Sequence, residues 1–193
     1  MAEIKCNAVI GIDPGAGGGI AVYTCDDGLV RTIKMPKSTE DLAEFLAYYT
    51  ENYRPIAFLE KLNVRRGDTQ VPGKIFGIEK MLANFSQLKT TLELSGIPFV
   101  LVHPMSWESK LAIRSRGEEK VARKRRYREI AARAYPANKI TLWNADAVLI
   151  MHFGRYQLAN ELSWVLQNLP QRERGKLFEG PEEPNFETFM KIQ

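Results

Sequence analysis

Only two cysteines occur in 193 residues, Cys6 and Cys25. That excludes a disulfide-built scaffold, and both read as reduced core thiols near the two ends of one hairpin. No apolar run approaches about 18 residues, so no membrane-spanning helix is expected. The first residues, MAEIKC, do not have the pattern of a signal peptide, and a soluble intracellular protein is expected. Internal repeats and low-complexity tracts are lacking too, which excludes solenoids and arrays. Excess charge of one sign is small: the formal net charge is +4 and the pI about 9.0. This permits a nucleic-acid partner without requiring one. What is present is 45% hydrophobic and 26% charged residues, enough for one globular domain with a core. The charge is unevenly placed. Residues 114–133 hold nine Lys or Arg against three Glu.

The stretch Asn7 to Thr24, NAVIGIDPGAGGGIAVYT, organises the rest. Two β-branched strands, 7–13 and 18–24, flank a carboxylate and a glycine-rich turn. Residues 29–35 alternate as a third antiparallel strand. Ser38 and Asp41 form a capping box for a helix over 39–52. Residues 56–60, IAFLE, are a short strand reached through that helix, hence parallel to the first. A polar, basic loop spans 61–73. A long helix over 74–95 stops at Gly96, and strand 97–103 follows. Pro104 and Trp107 begin a short helix. A basic helix covers 118–135, and a last helix runs from about 144 to 169. The order β-β-β-α-β-α-β-α-α predicts an α/β fold, a mixed five-stranded sheet with helices on both faces. Residues 1–169 are expected to form the domain and 170–193 a loosely attached tail.

Three carboxylates stand out. Asp13 ends the first strand, where a buried charge is costly unless a cation or donor meets it. Glu60 ends the fourth, and parallel neighbours bring such ends together where open α/β sheets place ligands. Asp146 lies in the first turn of the last helix, beside apolar Leu142, Trp143 and Ala145. Each has a plainer reading: a hairpin turn for Asp13, pairing with Lys61 or Arg65 for Glu60, helix capping for Asp146. Together, the three acids would repel strongly unless a divalent cation met them. An all-oxygen set suits Mg²⁺ or Mn²⁺ better than zinc. Two such ions about 3.5–4 Å apart activate water and stabilise the leaving oxygen of a phosphodiester.

Lys120 shares a helical face with Tyr127, Ala131 and Ala134, so it is expected to aim inward towards the acids. The plainer reading is a snorkelling surface lysine. Lys61, Arg65 and Arg66 follow Glu60 directly. With Arg114, Arg116, Lys124 and Arg125 they are candidate phosphate contacts. No base-reading motif is present.

The ordered set GIDPGAGGGIAVY, FLEK, the glycine and phenylalanine positions Gly73, Phe76 and Gly77, VLVHPMSW, a lysine before a basic helix ending in YP, and NADAVLIMHFGRY resembles RuvC-type Holliday-junction resolvases. It is most similar to their compact phage-like forms, over about residues 7–157. The resemblance implies a ribonuclease H-like fold and a crossover junction endodeoxyribonuclease that nicks opposed strands of branched DNA symmetrically, leaving 5′-phosphates. It implies that Asp13 bridges two Mg²⁺ or Mn²⁺ ions, with Glu60 and Asp146 as further ligands and Lys120 as the family's lysine. A homodimer in the cytoplasm, or in the host cytoplasm for a phage-encoded chain, goes with it, the helix over 74–95 contributing the contact. The sequence departs from that family at one point. The family's fourth acid or His precedes the helix Asp by three or four residues, and here Leu142 and Trp143 stand at those positions.

That departure motivates a second reading, a non-catalytic or weakly active protein that binds branched nucleic acid. A third, an actin-like ATPase, begins with a similar D-x-G turn. It needs two such domains and a second phosphate loop, which this chain lacks.

Overall fold

In a computed structural model of the chain, residues 6–15, 17–62 and 74–177 are described. Strands β1 (Ala8–Asp13), β2 (Gly19–Thr24), β3 (Val30–Lys34), β4 (Pro55–Glu60) and β5 (Phe99–Val102) form one sheet in the order β3-β2-β1-β4-β5. β1 pairs antiparallel with β2, and β2 with β3. β4 pairs parallel with β1 on one side and β5 on the other. All six residues of β1 and of β2 are buried, as expected for central strands covered on both faces.

Alternation along the strands divides the core in two. Ile10, Ile12, Ile20, Val22 and Leu59 face helices α1 (Thr39–Asn52) and α2 (Lys74–Leu94). Val9, Ala21, Phe58, Val100 and Val102 face the other way. There they meet α3 (Pro104–Lys110), α4 (Lys120–Ala134), α5 (Ala145–Asn160) and α6 (Leu162–Asn168). The predicted α/β fold, with helices on both faces of a mixed five-stranded sheet, is therefore present.

Local chemistry explains the element ends. The Ser38 hydroxyl accepts from the Asp41 N–H at 3.0 Å, and Glu40 and Asp41 sit in the first turn of α1, where the helix dipole favours them. α2 has the predicted length, but only its C-terminal half docks. Leu88 and Leu92 are buried, while Ile75, Phe76 and Leu82 are exposed.

Two expectations differ from the structure. The last helix is not continuous: Glu161 leaves helical geometry and starts α6, its carboxylate taken by Lys110. Nor is the chain after 169 loose throughout. Helix α7 (Gln171–Arg174) and the 3-10 turn Gly175–Leu177 bury Glu173 and Leu177. Arg172 pairs with Glu93 at 3.0 Å, and Lys176 with Glu173 at 2.8 Å. Residues 178–193 lie outside the described residues. No described helix is long and apolar enough to cross a membrane.

Candidate active site

Asp13 and Glu60 each stand one position beyond Ile12 and Leu59, the last residues that β1 and β4 pair with each other. Ile12 and Leu59 face α1 and α2. By strand alternation the two acids therefore face α4 and α5, at the carboxyl end of both strands. The Gly15 N–H donates to Asp13 Oδ1 at 3.1 Å. A side chain at Gly18 would lie 2.4 Å from the Asp13 carbonyl oxygen and 2.8 Å from Oδ2. The glycine turn is thus folded back against the carboxylate, and a bare residue at 18 is a steric requirement.

Glu60 is held from a second element. The Trp107 indole, itself buried, donates from Nε1 to Glu60 Oε1 at 2.9 Å. Trp107 in turn packs edge-on to Tyr127, whose hydroxyl donates to Glu108 Oε1 at 2.7 Å. A chain of side chains from α3 and α4 therefore fixes the Glu60 rotamer. Asp146 arrives from α5, which lies directly on β1. A Cβ at Gly11 would be 2.3 Å from the Ala147 carbonyl oxygen.

The three acids act on one another. Burial pushes the Glu60 carboxyl up to about 8, with the Asp13 charge adding to the effect. The Trp107 hydrogen bond opposes this, Asp146 adds to it, and Lys124 opposes it. Burial also raises Asp146, against the charge and hydrogen bond of Lys124, and Asp13 adds to the rise while Arg123 opposes it. Burial and neighbouring charge together perturb both carboxyls, as functional sites use them to do.

The lysine that meets these acids is Lys124. Its Nζ lies 2.6 Å from Asp146 Oδ2 and 3.9 Å from Asp13 Oδ2. Lys120, expected to aim inward, is exposed. The two share one helix face, being four residues apart, but α4 begins at Lys120, so that side chain projects one turn beyond the acids. Sequence periodicity identifies the face and not the level along it.

Of the other basic candidates, Lys61, Arg114, Arg116 and Arg125 are exposed, and Arg65 and Arg66 lie outside the described residues. Arg126 is committed elsewhere, bridging Glu118 at 2.5 Å and the Ile113 carbonyl at 2.7 Å. One basic residue escaped the sequence reading. Lys34 pairs with Gly19, which pairs with Asp13, so exposed Lys34 stands two strands from the acid at the same sheet end. The pairing register carries that signal, and it follows from the hairpin already read in the sequence.

Positions 142–144 supply no further ligand. Leu142 is exposed. The Trp143 ring lies over Gly19, where an added Cβ would stand 2.8 Å from it. Buried Asn144 is spent on Thr141, Thr32 and the Lys139 carbonyl. Among the described residues, no three His, Cys, Asp or Glu side chains are gathered closely enough to hold an ion in this conformation. The donor set nevertheless suits a hard divalent cation: three carboxylates act on one another at this end of the sheet, and Asp146 Oδ1 is buried without a hydrogen-bond partner.

No family model matches the chain, and no curated protein sequence matches it. Solved structures do share its shape. T. thermophilus RuvC in complex with Holliday junction substrate aligns with a TM-score of 0.52 and 14% identity, over 78% of this chain and 94% of that one. A second Thermus thermophilus RuvC structure aligns at 0.48 and 11% identity, over 84% and 98%. At such identities the likeness is one of fold, and the first alignment carries it: this chain has a ribonuclease H-like fold of the kind seen in RuvC.

Proposed function

We propose that the protein is a metal-dependent endonuclease that resolves four-way and related branched DNA by paired, symmetric nicks leaving 5′-phosphates. The observation that carries this reading is the convergence of Asp13, Glu60 and Asp146 at the carboxyl end of the sheet, beside Lys124. Asp13, Glu60 and Asp146 would hold two divalent ions, Mg²⁺ or Mn²⁺. Bound there, such ions supply Lewis acidity to both the attacking and the leaving oxygens of a phosphodiester.

The chain's own contribution is placement. Asp13 is locked by the glycine turn, Glu60 by Trp107, and Asp146 by the contact of α5 with β1. Pre-set donors of this kind need no reorganisation when charge develops. Lys124 stands where its ammonium can orient a phosphate oxygen. Lys34 and Lys61, at the sheet end that carries the acids, offer phosphate contacts, and exposed Arg114, Arg116 and Arg125 are further candidates. The exposed apolar half of α2, with Ile75, Phe76 and Leu82, supports a homodimer contact.

The unfilled fourth position at Leu142 and Trp143 favours a second reading, a protein that binds branched nucleic acid with little or no cleavage. One experiment separates the two. A synthetic four-way junction, labelled on each strand in turn, is incubated with the protein and Mg²⁺ or Mn²⁺. The expected result is nicking at symmetric positions on two opposed strands, lost in Asp13→Asn. Binding without nicking under both metals overturns the nuclease reading, and nicking that survives Asp13→Asn overturns the site. Sedimentation of the same preparation reads the dimer.

A further inference from the structure

Lys124 is the cation that stands among the acids, and its placement has a consequence for how an ion enters. Among the described residues, no other Lys or Arg forms an ion pair with Asp13 or Asp146. The ammonium lies 2.6 Å from one carboxylate and 3.9 Å from the other, and so meets two acids that a shared cation would have to engage. Its helix is firmly seated: Tyr127 and Ala131, on the same face, are buried in the core. The lysine stem therefore starts from a fixed point, while its flexible four-carbon chain leaves the charged end movable.

The pairing is also incomplete. Asp146 Oδ1 is buried and has no partner, so one ammonium does not satisfy the oxygens that the cluster presents. A divalent ion engages more of them, but it cannot share the same oxygen shell with an ammonium without strong repulsion.

We propose that Lys124 is the resident counter-ion of the acid cluster, and that a divalent cation binds only by displacing its ammonium, so that Lys124 sets the metal affinity of the site. This rests on the reading of the acids as metal ligands. In the metal-free protein Lys124 keeps Asp13 and Asp146 from repelling each other. On metal entry its charge swings out toward the mouth of the site, still tethered to α4. The exclusion is reciprocal, so whatever holds the ammonium outside also strengthens metal binding.

The test needs no DNA and no turnover. Mn²⁺ is titrated into the full chain by calorimetry, with free Mn²⁺ followed by electron paramagnetic resonance. Lys124→Met keeps most of the unbranched stem and removes its charge, and it is expected to bind Mn²⁺ on the order of tenfold more tightly than the wild type. Lys120→Met, one turn along the same face, is expected to leave the affinity unchanged. Loss of Lys124 leaves two acids unpaired, so the melting temperature of each protein is measured with and without Ca²⁺. The expected gain on adding Ca²⁺ is larger for Lys124→Met than for the wild type. Equal or weaker Mn²⁺ binding by a folded Lys124→Met overturns the role of Lys124 alone. Absence of Mn²⁺ binding in both proteins overturns this proposal together with the metal reading beneath it.

Discussion

Trp107 and Glu60 are 47 positions apart, yet the indole tempers how the carboxylate titrates. In the metal-free protein, burial and the charges of Asp13 and Asp146 push Glu60 from the ordinary carboxylate range up to about 8. The folded state then binds a proton more tightly than the unfolded chain does. Its contribution to stability is complete below about pH 4.5 and is lost as pH rises through about 8. Thermal melts in chelator are therefore expected to show stability falling across that window, and Glu60→Gln is expected to flatten the slope. Trp107→Phe removes the hydrogen bond that, among the described residues, favours the charged form. It is expected to move the Glu60 titration higher and to cost about 0.5–1.5 kcal/mol at neutral pH, where Glu60 is mainly protonated in the metal-free protein. A pH series of melts checks both. All three acids were legible in the sequence as residues at strand and helix ends. The tryptophan was legible only as part of a motif, because a hydrogen bond between distant segments leaves no periodic trace. The inward lysine was placed at Lys120, one turn before Lys124, for a related reason: periodicity fixes an angle around a helix and says nothing of where the neighbouring sheet ends.

At the scale of elements, the placement of Asp146 depends on how closely α5 approaches β1. Gly11 permits it, since a Cβ there would stand 2.3 Å from both the Ala147 carbonyl oxygen and the Met151 nitrogen. These are backbone atoms and cannot swing aside. Gly11→Ala is expected to lower stability by about 3 kcal/mol or more, and to weaken Mn²⁺ binding by moving Asp146 out of the cluster. Gly17→Ala, with nothing within 4 Å of the added methyl, is expected to stay within about 0.5 kcal/mol of the wild type. Urea denaturation of the two variants measures the contrast. Element order and type were readable because β-branched runs, capping signals and prolines agree with one another along the chain. The break at Glu161 was not, since neither Gly nor Pro marks it. It follows from α6 turning back to bury Val165 against the core, a tertiary demand on a locally helical sequence.

For the whole molecule, the net charge of +4 matters less than where the exposed basic residues lie. Lys61 follows the acids directly, and Lys34 stands at the same sheet end. Junction affinity is expected to fall linearly with salt on a double-logarithmic plot. Lys34→Ala and Lys61→Ala are each expected to weaken binding uniformly across sequences and to reduce that slope by about one. Fluorescence anisotropy at several salt concentrations reads both, and a slope unchanged by either substitution removes that residue from the DNA path. The antiparallel hairpin of β1 with β2 and the parallel direction of β4 were readable, the first from the glycine turn and the second from the helix that leads into β4; the full strand order comes from the structure. The docking of residues 171–177 was not, because its polar composition hides two buried residues, Glu173 and Leu177.

Asp13 and Glu60 end neighbouring parallel strands and share a face because the pairing Ile12 with Leu59 fixes their parity. A slip of one residue in either strand would turn one acid to the opposite face, among the isoleucines and leucines. The acid cluster is thus a parity check on the centre of the sheet. Molecules that pair β1 and β4 in the wrong register lack a complete set of carboxylates, however compact they are. If the cluster binds a divalent cation as proposed, cation stoichiometry becomes a census of correctly paired molecules in a refolded sample.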